Sequence, residues 1–440
     1  MKPCRTIPPR RTTMTNYDKA RSSILEKINV LEAVEQPLMD CIGQVLAEDV
    51  YSEYDLPQVD SSAPDGYAVR SVDIMRASKA NPAILQIIET VRAGSLPKKK
   101  IRSGTAARIM TGSALPKGAD CVVRFEDTDE PADKNGPNSG NPSEVKVYLR
   151  VAPGSNIRKA GSTIAKGALV LPKGALIGPA QISALTANGK NRIRVVRRPV
   201  IAVISTGDEL IAAGRRLSPG KAYDCNSAAI ASLISHYGGI PMVLGIARDN
   251  EESVSAMMRK GAMADAIITS GGVSKGDYDL IRLVIGKIGE LHFSRIKMGP
   301  GASFAFGQTH GTLEGGTGGP IPVFALAGPP SGCLINFETL VRPALLKMLG
   351  YTKIKHATVK ATALDSLPDR KAIAFVKWSK LHDSRGEYRV KLNCSEETGT
   401  LASMAMANSL TIIPEGAKVE AGDRIQVLPL DWCLGPVHQD

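Results

Sequence analysis

The stretch IITSGGVSKGDYD, residues 267–279, runs from an unbroken apolar segment into two glycines and a serine, and then into the acidic start of another element. A short apolar run that stops at glycine fits a strand buried on both faces, as in a parallel sheet covered by helices. Gly271 and Gly272 lack a Cβ, so a ligand can approach the backbone there, and the amides opening a following helix attract phosphate. Asp277 and Asp279 would repel an anion unless a divalent cation bridged them, and hard carboxylate oxygens suit Mg2+. The same residues also fit an ordinary strand-to-helix turn capped by Asp277.

The pattern repeats on both sides of this stretch. VIAVISTGDEL (200–210) again places glycine and two carboxylates directly after an apolar strand. Asn226 then reads as an N-cap, with Ile230, Leu233, Ile234 and Tyr237 on one helical face and Gly238 at its end. Strands follow at Met242–Ile246, Ala266–Thr269 and near Val323–Leu326, with helices over about 251–262 and 279–289. A long helix carrying Leu334, Phe337, Val341, Leu345 and Met348 closes the series. Apolar strands alternating with amphipathic helices predict a doubly wound α/β domain over 196–350, its parallel sheet covered on both faces. Ligands of such sheets bind beyond the carboxyl ends of the strands. Asp208, Glu209 and Asp249 therefore fall on the same edge as Asp277 and Asp279. One carboxylate there is usually a cap, but three strand ends carrying carboxylates point to a metal–phosphate site.

Around this domain the texture changes. Residues 15–47 read as mainly helical, with Ala20, Ile24, Ile28, Leu31 and Val34 recurring every three or four positions. From 48 to 153, short apolar runs (Ile84–Ile88, Ala107–Met110, Cys121–Phe125, Val145–Leu149) between glycine and proline turns predict a β-rich domain. Within it, DLPQVDSSAPDGYAV (55–69) presents Asp65 in a Pro-Asp-Gly turn, and by itself this is simply a tight turn. The acidic run Glu126, Asp127, Asp129 and Glu130 reads as a solvated hairpin face. Residues 154–198 combine short strands with a helix around Pro179–Asn188. The β-rich domain is thus expected as an insertion within a discontinuous domain made of 14–47 and 154–195. From 351 to 430, short strands at Ala357–Ala363, Ala372–Trp378, Tyr388–Leu392, Leu410–Ile413 and Arg424–Leu428 predict a small β-barrel or sandwich domain.

The chain of 440 residues is 43% apolar and 22% charged, which suits several packed domains rather than disorder. No apolar stretch reaches the ~18 residues of a membrane span, and the basic N-terminus lacks the apolar region of a secretory signal. Basic residues outnumber acidic ones by 55 to 43. The excess gathers at Lys2, Arg5, Arg10 and Arg11 and at Lys190, Arg192, Arg194, Arg197 and Arg198. Neither cluster is interleaved with the aromatics that stack bases, so attraction for a small anionic substrate, or plain solubility, is expected and nucleic acid is not. Seven scattered cysteines without a CxxC pair, and six histidines without HExxH, argue against a disulfide framework or a structural zinc site. A reduced, cytoplasmic protein is the expectation.

Taken together and in order, SSAPDGYAV (61–69), ARIMTGSALPKGADCVV (107–123), GSNIRKAGS (154–162), VISTGDEL (203–210), SGGVSKGDYD (270–279) and PGASFAFG (300–307) resemble the molybdopterin molybdenumtransferase family. The family is known as MoeA in bacteria and as the E domain of gephyrin in animals. The resemblance covers roughly 15–430. The motifs within 203–279 alone would also fit the molybdopterin adenylyltransferases, which share the α/β domain. The resemblance implies four domains: 14–47 with 154–195, then 48–153, the molybdopterin-binding 196–350, and a C-terminal β domain over 351–430. It also implies a homodimer whose site lies between the α/β domain and the partner's β-rich domain. The implied substrates are adenylylated molybdopterin and molybdate. With Mg2+ as cofactor, molybdenum is inserted into the dithiolene and AMP is released. Other molybdenum-cofactor enzymes are implied as further partners. Asp65 matches the family's functional aspartate and Thr111 the threonine of its TGA turn. Glu209, Asp249 and Asp279 match its carboxylates, which are also the implied metal ligands. Gly271, Gly272, Ser274 and Asp208 would cradle the pterin phosphate or the nucleotide.

The chain departs from the family at three places. An acidic pair after Asn156-Ile157-Arg158 is replaced by Ser162 and Thr163. A KPGKP segment with two lysines reads Gly299-Pro300-Gly301-Ala302-Ser303. LPGNPVS reads Leu326-Ala327-Gly328-Pro329-Pro330-Ser331-Gly332. The lost lysines and serine contribute to the family's oxyanion site, so backbone amides, Ser303, Ser331 or a nearby arginine must replace them. Three readings stay open: a metal-inserting transferase working with molybdate or tungstate; a non-catalytic pterin-binding or scaffold paralogue; and nucleotide transfer or hydrolysis by the α/β domain alone.

Overall fold

The computed structural model describes residues 14–130, 143–272, 280–310, 319–367, 373–384, 386–392 and 401–433. They fall into two compact units. One holds the described residues up to Ala47, Leu176–Gly178 and everything described from Arg192 onward. The other holds Glu48–Ala175 and Pro179–Asn191. Among the described residues no helix is long and apolar enough to cross a membrane.

The second unit is built on five strands: Gly66–Val69 (β1), Ala83–Val91 (β2), Thr105–Ile109 (β3), Cys121–Arg124 (β4) and Glu144–Val147 (β5). Their order is β4-β1-β3-β2-β5, with only β2 and β3 parallel. The period-two alternation of a strand splits its residues between two cores. Tyr67, Val69, Ala106 and Val123 enter one, and Ala68, Ala107, Ile109 and Val122 enter the other. Gly66 is obligatory here, since a Cβ would lie 2.0 Å from the Val123 carbonyl oxygen. Gly66 pairs with Ile109, which brings the residues just beyond these strand ends, Asp65 and Thr111, side by side. The acidic run does not form a solvated face at its end. Glu130 is half-buried, accepts from Arg108 Nη2 at 2.5 Å and Nε at 3.1 Å, and also accepts from the Tyr67 hydroxyl. The Arg108 guanidinium in turn stacks 4.6 Å from the Phe125 ring centroid.

In the first unit, helix α1 (Tyr17–Lys27) is capped by Asn16 and stops well before residue 47. The chain turns extended at Ile28, and Ala33–Pro37 pairs antiparallel with Arg192–Val196. Leu31 and Val34 therefore continue the apolar spacing without continuing the helix. Six strands follow: Val200–Thr206 (β6), Ile240–Ala247 (β7), Ala266–Ser270 (β8), Gly289–Phe293 (β9), Ala305–Thr309 (β10) and Pro322–Leu326 (β11). Their order is β7-β6-β8-β11-β10-β9. The first four are parallel, whereas β10 pairs antiparallel with both β11 and β9. The sheet is thus mixed at one edge rather than wholly parallel.

Both faces are covered. Ile201, Val203, Ile268 and Phe324 share a core with Ile230 and Ile234 of helix α2 (Cys225–His236). Ala202, Ile204, Ile267 and Val323 share the other with Val254 and Met258 of α3 (Glu251–Lys260) and Ile281 and Val284 of α4 (Leu280–Ile288). The last helical stretch is not one regular helix. It runs as α5 (Pro330–Asn336), a π turn over Phe337–Val341 and α6 (Arg342–Met348). Pro343 has no N–H to give to an i−4 carbonyl, which accounts for the widened turn just before it. The turn carries Glu338, fully buried, which accepts from Tyr237 Oη at 3.0 Å and Trp432 Nε1 at 2.7 Å and lies 3.2 Å from His356 Nε2.

The C-terminal strands are Val359–Ala363 (β12), Ala374–Ser384 (β13), Glu387–Lys391 (β14), Ser409–Ile413 (β15) and Arg424–Pro429 (β16). They run β13-β14-β12-β16-β15, and β15 pairs back onto β13, closing a small barrel. Ala361, Leu381, Val390 and Val427 form its interior. Met298–Gly299 lies parallel to the start of β13, which ties the segment before Ser303 to this barrel.

Candidate functional site at the strand ends of the six-stranded sheet

The carboxyl ends of β6, β7 and β8 meet at one edge. Beyond β6 the chain makes a glycine turn: Gly207 N–H donates to the Ala247 carbonyl at 3.3 Å, tying the ends of β6 and β7. Asp208 and Asp249 then bond reciprocally, each backbone N–H reaching the other's carboxylate at 3.3 Å. The Glu209 carboxylate folds back over Gly207, where a Cβ would sit only 2.6 Å from it. Lys221 Nζ donates to the Asp208 carbonyl at 2.6 Å, and the Ala222 N–H to the Glu209 carbonyl at 2.9 Å. All three carboxylates are exposed. Among the described residues no three His, Cys, Asp or Glu side chains form a metal cage.

Beyond β8, Gly271 and Gly272 adopt φ of +91° and +69°, which only glycine takes without strain. A Cβ on Gly271 would lie 2.5 Å from the Thr206 carbonyl oxygen, and one on Gly272 would lie 2.8 Å from Thr206 Oγ1. Ser274, Asp277 and Asp279 lie outside the described residues. The structure therefore brings together Asp208, Glu209, Asp249, Gly271 and Gly272.

Asn226 is not the N-cap of α2. Asp224 takes that role, accepting from Ser227 N–H at 3.1 Å and from its hydroxyl at 2.6 Å, while Ser205 Oγ donates to it at 2.9 Å. Placed in the first turn instead, Asn226 turns its Nδ2 to Ser270 Oγ at 2.6 Å and to the Gly328 carbonyl at 2.7 Å. It is a crossbar between the end of β8 and the loop after β11. Behind it, Cys333 Sγ lies 3.7 Å from Ser270 Oγ, and burial pushes this thiol up to about 12.

The two altered loops lie together. The amide of Asn336, fully buried, donates to the Gly301 carbonyl at 2.9 Å and accepts from Ala327 N–H at 3.2 Å. A Cβ on Gly332 would stand 3.1 Å from Gly301 N, so the loops touch backbone to backbone. Ser331 Oγ accepts from Trp378 Nε1 of the barrel at 2.9 Å.

In the other unit, Asp65 Oδ1 accepts from Thr111 N–H at 2.7 Å and Thr111 Oγ1 at 2.9 Å. Near Ser162 and Thr163, two carboxylates hold the same segment. Asp60 accepts from Ala160 N–H at 2.9 Å and Lys159 Nζ at 2.8 Å, and Asp55 accepts from Lys166 N–H at 2.8 Å. The second basic cluster is largely paired: Lys190 with Glu53, Arg192 with Glu35, and Arg197 with Glu32 and Asp265.

Comparison with known proteins agrees with this architecture. Residues 15–189 match the MoeA N-terminal region (domain I and II), 202–347 a probable molybdopterin binding domain, and 360–430 the MoeA C-terminal region (domain IV). The molybdopterin molybdenumtransferase of Nostoc sp. is 33% identical over 88% of this chain and 86% of its own length. The chain belongs to the molybdopterin molybdenumtransferase family. A family member from Bacillus subtilis is 30% identical over 89% of this chain and 88% of its own. A crystal structure of the MoeA protein from Pyrococcus horikoshii superposes with a TM-score of 0.79 at 32% identity, over 95% of this chain and 99% of that one. Within this family fold, Asn226, Thr206 and Asn336 are the side chains whose place at the edge the sequence did not reveal. The one available signal was Asp224, a second capping residue two positions before Asn226.

Proposed function

We propose that this chain acts in molybdenum cofactor biosynthesis by inserting molybdate, or tungstate, into adenylylated molybdopterin with release of AMP. The observation that carries the reading is the gathering of Asp208, Glu209 and Asp249 beside the Gly271–Gly272 cradle. These donors are hard oxygens on adjacent strand ends, which fits Mg2+. Glu209 and Asp249, together with Asp279, would hold the ion, which supplies charge neutralisation at the phosphate and polarises the bond to be broken. Gly271, Gly272, Ser274 and Asp208 seat the pterin phosphate or the nucleotide. Asp65 and Thr111 act from the partner protomer of a homodimer, which their own hydrogen bonds pre-arrange. Delivery of the product to other molybdenum-cofactor enzymes in the cytoplasm completes the reading.

The test is to incubate the purified chain with adenylylated molybdopterin, Mg2+ and either oxyanion, and to follow AMP. Release that requires Asp65, Glu209 and Asp249 is the expected result, and no release with either oxyanion ends the proposal.

One observation favours a second reading, a paralogue that binds the pterin without turning it over. Gly299–Ser303 carries no cation, and Ser331 is already engaged by Trp378. That reading predicts pterin binding without AMP release, and release gained on Gly299→Lys with Ala302→Lys.

A further inference from the structure

Thr206 is the last residue of β6 and is 3% exposed, yet its Oγ1 has no hydrogen-bond partner among the described residues. Buried hydroxyls are nearly always paired, so an orphan calls for a reason. This one faces the glycine cradle. A Cβ on Gly272 would lie 2.8 Å from it and one on Gly271 3.0 Å. The cradle is held from behind by the Asn226 crossbar, and a Cβ on Gly328 would stand 3.6 Å from the Gly271 Cα. A second orphan hydroxyl, Thr269 Oγ1, lies on β8 between its sheet partners Ile204 and Ala325, inside the sheet rather than at its end.

We infer that Thr206 is a substrate-contacting residue whose hydroxyl donates to a phosphoryl oxygen of the anionic pterin nucleotide seated on Gly271 and Gly272. The inference rests on the reading that this edge takes the nucleotide. A neutral hydroxyl meeting a charged phosphoryl oxygen makes a charge-assisted hydrogen bond, stronger than a bond to a neutral acceptor. The chain holds that donor unspent, so the bond is formed only on binding.

The experiment is calorimetric titration of the full chain with AMP in the presence of Mg2+, alongside thermal denaturation. Thr206→Val is nearly isosteric and removes only the donor. It is expected to weaken AMP binding about tenfold without lowering the melting temperature, because no internal bond is lost. Thr206→Ser keeps the donor and is expected to stay near the wild type. Thr269→Val, the internal control, is expected to leave the affinity unchanged. Wild-type affinity in Thr206→Val, or equal weakening in Thr206→Val and Thr269→Val, overturns the inference alone. Absence of AMP binding by the wild-type chain removes both the nucleotide reading and the inference built on it.

Discussion

At the ends of β6, β7 and β8 glycines open the backbone, three carboxylates stand exposed and one buried hydroxyl waits for an acceptor. In the neighbouring loops, Gly299–Ser303 and Leu326–Gly332, polar groups are turned on one another instead. The Asn336 amide holds both loops, and Trp378 occupies Ser331. The first region keeps exposed carboxylates and one unspent hydroxyl beside its internal bonds, and the second spends its polar groups inside the protein. The difference teaches where divergence was tolerated. A lysine exchanged for glycine or alanine in the second region leaves a loop that still packs, whereas in the first region the Thr206 hydroxyl has no hydrogen-bond partner among the described residues.

That contrast is breakable, and the largest effect is expected in the open region. Gly271→Ala forces a Cβ to within 2.5 Å of the Thr206 carbonyl at a φ of +91°. It should cost about 3 kcal/mol in denaturant unfolding and abolish AMP binding. Next comes Asn336→Ala, which leaves the Gly301 carbonyl and the Ala327 N–H without their buried partner. A loss of about 2 kcal/mol is expected, with AMP affinity within twofold of wild type. A collapse of AMP binding in this variant would show that the two regions are one site. Trp378→Phe removes the donation to Ser331 and part of a ring buried against Trp432, for about 1.5 kcal/mol in the same assay. Asn226→Ala, in a less buried place, should cost less stability than that and raise the KM for adenylylated molybdopterin at unchanged kcat; a fall in kcat alone would refute its crossbar role.

The smallest effect is an acid titration of the other unit. Burial pushes the Asp120 carboxyl up, but two hydrogen bonds from Ser71, at 2.6 and 2.8 Å, outweigh it and hold it below the usual range. A depressed carboxyl contributes stability above its unfolded pKa and loses it as pH falls through the folded one. Asp120→Asn should therefore flatten the stability profile below about pH 4, the unfolded carboxylate range, and leave neutral-pH AMP binding alone.

The sequence was most legible where periodicity and punctuation agree. β6, β8 and β11 are continuous apolar runs ended by glycine or alanine, and all three were read close to their observed bounds. It was least legible where two rules gave the same pattern. Asp224 and Asn226 are both good caps, and the spacing of Ile230, Leu233, Ile234 and Tyr237 suits either. Only the folded distance to Ser270 separates them. Leu31 and Val34 keep a helical interval inside an extended segment, because pairing with Arg192–Val196 overrides local spacing. β9 follows α4 with no intervening turn residue except its own Gly289, so the antiparallel edge left no boundary signal. Glu130 looked solvated because its partners Tyr67 and Arg108 are distant in sequence.

The buried Glu338 bears on how such chains can be assembled and rearranged. Two of its three partners, His356 and Trp432, come from beyond residue 350, and only Tyr237 belongs to the α/β domain. A fragment ending at 350 would keep the carboxylate and lose both N–H donors, so the domain cannot be excised, or joined to a foreign C-terminal barrel, without a compensating change at position 338. In this chain the α/β domain and the barrel are thus tied through one buried carboxylate, and a cut at their junction is felt at Glu338.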